Sequence, residues 1–266
     1  MKVGRFLTLV LLLSTLAFGQ NSNNGLVPLQ SPFHGIKIVS SKLDSSTSPQ
    51  TVRLDFVNDS PNNITAWAYC VYAEKAKESD PYQGVCTMID AVGPEVERQV
   101  QEKITLTTND AYCSTCRFVH PGEHKVLSAA FAPPVVDAQV QIKLIAYSDG
   151  TVETSGDEWG TDYFQQIVRN RKAWLTTTQQ VVEMGKKILA DPTNPHPTQT
   201  MINELQNRSR EIGMDNTLYF FKRPEWRHAN DKELIPNDER GYLNKFITER
   251  QMQAAEYSKY LIRGVR

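Results

Sequence analysis

The chain has 266 residues, with 29 Lys and Arg against 30 Asp and Glu, and its formal net charge is −1. So small a charge excludes overall electrostatic attraction as a means of binding nucleic acid or anionic lipid. The length suffices for one large domain or two smaller ones.

The first 19 residues have the build of a secretory signal peptide. Lys2 and Arg5 make a basic start, and Phe6 to Phe18 form an almost unbroken apolar run that ends near small residues. This run is shorter than the roughly 20 apolar residues that a transmembrane helix requires. We therefore predict cleavage after Gly19 and a mature chain that is periplasmic or secreted and has no membrane span.

Residues 20–33 predict a flexible lead-in, and residues 34–155 predict a β-domain of short strands separated by turns. The segment "TVRLDFVN" alternates apolar and polar side chains, as a half-buried strand does. The segment "ITAWAYCVY" is apolar on both faces, with Ile64 and Ala66 on one and Trp67 on the other. It therefore predicts a central strand.

Further strands are predicted at "EKITLTT", near 102–108, and at "HKVLSAAF", near 124–131. The segment "DAQVQIKLIAYSDGTVET" predicts a hairpin in which Asp149-Gly150 forms a two-residue turn. Short strands with turns between them indicate a sandwich rather than a parallel sheet covered by helices.

From residue 156 to residue 266 the apolar period changes from two to 3.6, which predicts an α-helical region. Its first segment predicts one long amphipathic helix, or two with a break in "LTTT", and the prolines of "DPTNPHPTQ" end it. A second helix begins near Thr198 or Thr200, and Asn237 caps a last one. The predicted fold class is α+β, an antiparallel β-sandwich followed by a helical C-terminal region.

Four cysteines follow the predicted signal peptide: Cys70, Cys86, Cys113 and Cys116. An even number in an exported chain favours two disulfides. We favour Cys70 with Cys86 and Cys113 with Cys116, while crossed pairings and a metal site remain open alternatives. A Cys70–Cys86 bridge closes a loop of about 15 residues and contributes ~3 kcal/mol in the chain-entropy model.

The metal alternative comes from the stretch "CSTCRFVHPGEH", which holds Cys113, Cys116, His120 and His124. A tetrahedral zinc site accepts two Cys and two His. Only three residues separate the cysteine pair from the histidine pair, whereas zinc fingers leave room there for a hairpin or a helix. Because an oxidising compartment also favours a disulfide, the preferred interpretation has no metal and no cofactor.

The same stretch contains H-x-x-E-H, a zinc-protease pattern that needs a helix to place both histidines on one face. Pro121 and Gly122 instead predict a type II turn between them. A redox role for the C-x-x-C pair needs a lowered thiol pKa, which a helix N-terminus commonly provides. The sequence that flanks the pair does not predict a helix beginning there. Other nucleophile and nucleotide-binding motifs are absent, so no catalytic residue is assigned.

Two weaker features concern the surface. The stretch "EWRHANDKE", with Trp226 and His228, fits a binding loop or a solvated connection pinned by its aromatic residue. Asn63 and Asn207 begin N-x-S/T patterns, which are N-glycosylation acceptors where the source cell glycosylates.

The sandwich half resembles a group of uncharacterised exported bacterial proteins. The shared features are an N-x-S turn that leads into "ITAWAY", a "PGE" turn that opens a strand, and a "YSDGTVE" hairpin followed by a helix with "IVRNRK". The resemblance covers about residues 50–175 and implies an immunoglobulin-like β-sandwich with appended helices. It implies no activity and no site residues.

We therefore expect an exported, non-enzymatic protein that binds a protein partner or self-associates, using the sandwich and the amphipathic helices. The alternative is a metal- or thiol-dependent enzyme centred on the segment from Cys113 to His124.

Overall fold

A computed structural model describes five ranges of the chain: residues 33–46, 48–75, 82–104, 117–209 and 238–265. The predicted signal peptide, and the lead-in as far as residue 32, lie outside these ranges. Within them the protein is mixed α+β, with two sheets that are mainly antiparallel and four helices, which confirms the predicted class. None of the described helices is both long enough and apolar enough to cross a membrane.

The smaller sheet has three antiparallel strands in the order β1-β2-β5. They are β1 (Ile36–Asp44), β2 (Gln50–Asn58) and β5 (His124–Phe131). The larger sheet has the order β4-β3-β6-β7-β8 and is antiparallel except between β7 and β8. Its strands are β3 (Ile64–Lys75), β4 (Tyr82–Asp90), β6 (Val135–Tyr147), β7 (Thr151–Thr154) and β8 (Gly264–Val265).

The main apolar core lies between the two sheets. Val52, Leu54 and Phe56 of β2 are at most 2% exposed, which confirms the alternation predicted for this strand. They belong to one cluster with Trp67 of β3 and Ile145 of β6. Each large side chain buried in this way contributes about 1.5–3 kcal/mol through the hydrophobic effect.

Strand β3 is hydrogen-bonded to β4 on one side and β6 on the other, so the prediction of a central strand is confirmed. Ala66 and Ala68 face away from the sandwich core and pack in a cluster with Ile167 of a long helix. The predicted placement of Ile64 beside Ala66 is wrong. An irregularity in the register between them turns Ile64 to the side of Trp67.

The predicted hairpin joins β6 to β7, but its loop has three residues, 148–150, rather than the two predicted. Gly150 has a φ of +82°, and its N–H donates to the carbonyl of Tyr147 at 3.1 Å. A glycine in this left-handed conformation is typical of three-residue hairpin loops. The Asp149 carboxylate accepts from the Thr151 N–H at 2.9 Å, which fixes the start of β7.

Strand β5 lies at the edge of the smaller sheet and pairs with β2 alone among the described strands. Lys125 lies opposite Phe56 and two residues before Leu127, so its side chain enters the sandwich from this edge. The Lys125 ammonium is 4.5 Å from the centroid of the Trp67 ring, within cation–π range. Burial lowers the pKa of Lys125, and the charge of Glu123 opposes that shift.

The predicted strand near 102–108 is wrong over its first three residues, because residues 102–104 end the helix α1 (Val92–Ile104); residues 105–108 lie outside the described ranges. Helix α1 buries Val92, Val96 and Val100 in the sandwich core. These residues are four apart, which is a helical spacing. A helix therefore lies inside the segment predicted to be all strands.

Helix α2 (Glu158–Leu189) is a single unbroken helix of 32 residues, which selects the first of the two predicted alternatives. Asp157 caps it by accepting from the Gly160 N–H at 2.8 Å. The Thr178 hydroxyl donates to the Trp174 carbonyl at 2.7 Å. Such a bond keeps a threonine's polar group inside the helix, which explains why "LTTT" does not break it.

Helices α3 (Pro197–Ser209) and α4 (Glu239–Lys259) complete a second core with the last turns of α2. The cap of α4 is Asp238, whose carboxylate accepts from the Gly241 N–H at 2.8 Å, rather than the predicted Asn237. Gly185 of α2 lets α4 approach closely, because a Cβ there would lie 2.6 Å from Ile247. The predicted apolar faces of the helices are thus buried against one another.

A buried ion pair joins α2 to the larger sheet. Arg171 is 1% exposed, and its guanidinium donates twice to the Asp90 carboxylate at the end of β4, at 3.0 and 3.1 Å. It also donates to the Thr65 hydroxyl of β3 at 3.0 Å and to the Tyr260 carbonyl at 2.8 Å. One side chain therefore connects two strands, the long helix and the segment after α4.

We expect Arg171→Met to lower the free energy of unfolding by about 3–5 kcal/mol, because it leaves the Asp90 carboxylate buried without a counter-charge. Urea unfolding followed by circular dichroism measures the loss. The matched control is Arg169→Met, two residues earlier and exposed, which should change stability by no more than about 0.5 kcal/mol. Equal effects of the two substitutions would contradict the role given to Arg171.

Reduction of the Cys70–Cys86 bond should cost about 3 kcal/mol, the value for closing a loop of about 15 residues. The measurement compares urea unfolding with and without a phosphine reductant in a Cys113→Ala, Cys116→Ala background, so that only one bond responds. Adding Cys70→Ala and Cys86→Ala to that background should abolish the response to reductant. A stability that does not change on reduction would show that the bond does not restrain the unfolded chain.

Candidate functional site

The turn within the predicted metal segment has the geometry expected from Pro121 and Gly122. The Glu123 N–H donates to the His120 carbonyl at 2.9 Å, and Gly122 has a φ of +77°. These are the marks of a type II turn. The helix that the H-x-x-E-H pattern requires is therefore not formed, which confirms the reason for rejecting it.

The two histidines of this segment have different partners. His120 Nδ1 lies 3.0 Å from the side-chain oxygen of Asn63, whereas His124 Nδ1 lies 3.1 Å from Asp55 on β2. The Glu123 carboxylate accepts from the backbone N–H of His120 at 2.8 Å. Across the described ranges, no three His, Cys, Asp or Glu residues lie close enough to hold a metal ion.

Of the four cysteines, the structure describes two. Cys70 and Cys86 face each other across β3 and β4 and form a disulfide, which confirms this bond of the favoured pairing and excludes the crossed pairings. Cys113 and Cys116 lie outside the described residues. Their pairing, and the alternative metal site with His120 and His124, therefore stay predictions.

The weaker surface features are placed only in part. Trp226 and His228 lie outside the described residues. Asn63 begins an N-x-T pattern whose Thr65 is fully buried and donates to the Ala146 carbonyl, and Asn207 is exposed on α3.

A different surface brings chemistry together on the outer face of the larger sheet. Helix α2 begins at the middle of this face and covers one half of it, where Ala66, Ala68 and Leu144 pack beneath Ile167. The other half carries aromatic and amide side chains next to the Cys70–Cys86 disulfide. We call this half, with the first turns of α2, the aromatic surface; its residues are Tyr72, Gln139, Gln141, Trp159 and Tyr163.

The strand register places the first of these residues. Tyr72 of β3 lies opposite Gln139 of β6 and opposite Gly84 of β4, so the three share one face. A Cβ on Gly84 would lie 3.2 and 3.3 Å from two atoms of the Tyr72 ring. The ring therefore lies across the glycine, in the manner of an aromatic residue covering a strand glycine.

The first two turns of α2 supply the other aromatic residues. Trp159 and Tyr163 are four residues apart and share one face of the helix, with ring centroids 6.1 Å apart and an interplanar angle of 35°. Trp159 is 49% exposed and is the largest of the exposed apolar side chains among the described residues. Partial burial raises the pKa of Tyr163, and the neighbouring Tyr72 adds to the rise, which indicates that both phenols lie in one region.

A hydrogen-bonded row of polar side chains runs beside the rings, along β6 to the cap of α2. The Gln141 amide donates to Gln139 at 3.1 Å, and Lys143 donates to Gln141 at 2.7 Å. Lys143 also donates to Asp157 at 2.5 Å. We call these four residues the amide row; because each bond uses one end of a side chain, the row holds its members in fixed orientations.

Asp157 carries the negative charge of the row. Partial burial works to raise its pKa, but bonds from Lys143, the Gly160 N–H and the Ser155 hydroxyl outweigh that effect and lower the pKa to about 2. Asp157 is therefore ionised at neutral pH and compensates the charge of Lys143, which is only 4% exposed. At the surface the row presents the amides of Gln139 and Gln141 together with the Asp157 carboxylate, which is 42% exposed and paired with Lys143.

The arrangement is suited to binding rather than to bond making or breaking. Its carboxylate is committed to a lysine and to the helix cap, and its hydroxyls are phenols. None of these residues was assigned to a site from the sequence. The available signal was Trp159, a tryptophan in the acidic first turn of a helix, where charged neighbours make a core position unfavourable.

We expect Asp157→Asn to keep the helix cap, since Asn caps as well as Asp, but to leave Lys143 without its counter-charge. The pKa of Asp157 is about 2 in the native protein, below the value of about 3.9 in the unfolded chain. The ionised carboxylate therefore stabilises the fold above about pH 4, and this stabilisation is lost as the pH falls through about 2. Thermal melts should show a deficit of about 1 kcal/mol at pH 7 that closes near pH 2. A deficit independent of pH would contradict this account.

Comparison of the chain with protein-family models, with curated proteins and with solved structures finds no match in any of the three. The candidate surface is therefore defined by geometry and chemistry alone.

Proposed function

We propose that this protein is an exported, non-enzymatic binding module and that the aromatic surface is where it binds. The observation that carries the proposal is Trp159, which is 49% exposed although its neighbours are held firmly. Gly160 packs so tightly that a Cβ would lie 2.6 Å from the Ser155 hydroxyl and 3.0 Å from the Lys143 carbonyl. A large apolar ring fixed at the surface by a rigid support is typical of a binding site.

An immunoglobulin-like sandwich is the architecture that we propose for the two sheets. The orders β1-β2-β5 and β4-β3-β6-β7 correspond to strands A-B-E and C′-C-F-G of such a domain. Trp67, fully buried on β3, occupies the strand on which immunoglobulin domains carry their core tryptophan. The disulfide differs, since it joins β3 to β4 rather than the second strand to the sixth.

Export is supported by two independent features. The first 19 residues have the pattern of a signal peptide, and Cys70 and Cys86 form a disulfide, a bond that persists in oxidising compartments. We therefore propose a periplasmic or secreted location.

The alternative enzyme centred on Cys113 to His124 gains no support from the described part of that segment, where His120 and His124 bind separate partners. Docking of a partner on the helices stays a prediction. The apolar side chains expected to serve it, such as Val181, Leu243 and Phe246, are buried in the second core.

Hydroxyl-radical footprinting tests whether the aromatic surface is occupied. Purified mature protein is labelled in buffer and in an extracytoplasmic extract of the cell that makes it, and oxidation is quantified by mass spectrometry. We expect oxidation of Trp159 to fall severalfold in the extract relative to oxidation of His124, because a bound ligand excludes solvent from the ring.

His124 is a suitable internal control because its side chain is 58% exposed and lies on the other sheet. Radical scavenging by the extract would lower the oxidation of both residues equally. The ratio of Trp159 to His124 oxidation is therefore insensitive to scavenging. An unchanged ratio of Trp159 to His124 oxidation would contradict the proposed binding surface.

A further inference from the structure

The aromatic surface has a chemistry that matches one class of ligand. We propose that it binds a neutral hexose-based oligosaccharide, with pyranose rings stacked on Tyr72 and Trp159 and hydroxyl groups bonded to Gln139 and Gln141. This inference depends on the proposed function and names the ligand class for the same surface.

The rings fit the apolar side of a sugar. A pyranose with equatorial hydroxyls presents axial C–H groups on its faces, and polarised C–H groups are attracted to the negative face of an aromatic ring. Tyr72 lies against Gly84, where a Cβ would come within 3.2 and 3.3 Å of its ring, so no side chain on β4 separates the two. Trp159 offers the larger ring and is 49% exposed.

The amides fit the polar side of a sugar. Each sugar hydroxyl both donates and accepts a hydrogen bond, and a carboxamide does the same with its nitrogen and its oxygen. Within the amide row, exposed Gln139 accepts from Gln141 through its oxygen, and among the described residues no hydrogen bond engages its nitrogen. The row therefore ends in an oriented amide at the surface.

The charges around the surface select against an anionic ligand. The cation of the row, Lys143, is 4% exposed and is paired with Asp157 at 2.5 Å. Glu158 and Asp162, which flank Trp159 in the first turns of α2, are both exposed. Phosphate, sulfate or carboxylate groups need accessible cations, whereas neutral hydroxyl groups do not.

A cationic peptide is the competing occupant, because the same acidic residues would attract it. The Asp157 carboxylate is already paired with Lys143, so a peptide cation would pair with Glu158 and Asp162, which lie outside the amide row. The neutral amides of the row therefore favour the sugar. Protease treatment of the extract separates the two, because it destroys a peptide and leaves a sugar intact.

Isothermal titration calorimetry on the whole mature protein tests the inference. The probes are three neutral hexasaccharides, of β-1,4-linked glucose, mannose and N-acetylglucosamine, and a hexamer of galacturonate as the anionic match. We expect at least one neutral probe to bind and the galacturonate to bind at least about tenfold more weakly.

Substitutions then localise the binding. Trp159→Ala, and Gly84→Val, which displaces the Tyr72 ring, should each weaken the binding of that probe about tenfold. Val126→Ala is the matched control, since Val126 is 55% exposed on the other sheet, and it should leave the affinity unchanged. Circular dichroism melts verify that every variant is folded at the temperature of the titration.

The possible failures are distinguishable. If the ratio of Trp159 to His124 oxidation falls in the extract but none of the neutral probes binds, or if protease treatment of the extract abolishes that fall, the sugar inference is overturned while the proposed function stands. If the ratio does not fall and no probe binds, both are overturned. Tighter binding of galacturonate than of the neutral probes would also overturn the inference.

Discussion

The ion pair between Arg171 and Asp90 determines how the long helix lies on the larger sheet. A guanidinium removed from water is tolerated only where hydrogen-bond partners surround it, and Asp90, Thr65 and the Tyr260 carbonyl meet that need in one place. Helix α2 therefore has a fixed point near its middle. Trp159 lies twelve residues, about 18 Å, before that point on a rigid helix, so a contact in the interior sets the position of a ring at the surface.

The elements that local pattern determines were predictable from the sequence. The apolar alternation of β2, the two apolar faces of β3 and the hairpin around Asp149-Gly150 each depend on residues close together in the chain. The structure has all three, although the hairpin loop is one residue longer than predicted. Helix α2 was predictable because its apolar residues keep a helical period over 32 residues. The uncertainty at "LTTT" arose because propensity disfavours threonine in helices, whereas a bond from Thr178 to the backbone removes the conflict.

The features that depend on distant residues were not predictable. Arg171 lies within "VRNRK", where the sequence does not show which of the basic residues is buried. Only the position of Asp90 in the fold distinguishes Arg171 from exposed Arg169. The aromatic surface likewise joins Tyr72 to Trp159 across 87 positions of the chain, through the registers of β3 with β4 and β6. Helix α1 was missed because the strands around it dominated the interpretation, although its valines keep a helical spacing.

The inward side chain of Lys125 affects what happens when many copies of the protein meet. An edge strand offers unpaired N–H and C=O groups to any passing strand, and β5 also exposes Val126, an apolar residue that would favour such pairing. The side chain of Lys125 points into the sandwich from this same edge, and an inward-pointing charge is one of the features that keep edge strands from pairing. The lysine whose ammonium lies over Trp67 in one molecule therefore also discourages edge-to-edge pairing of sheets between molecules at high concentration.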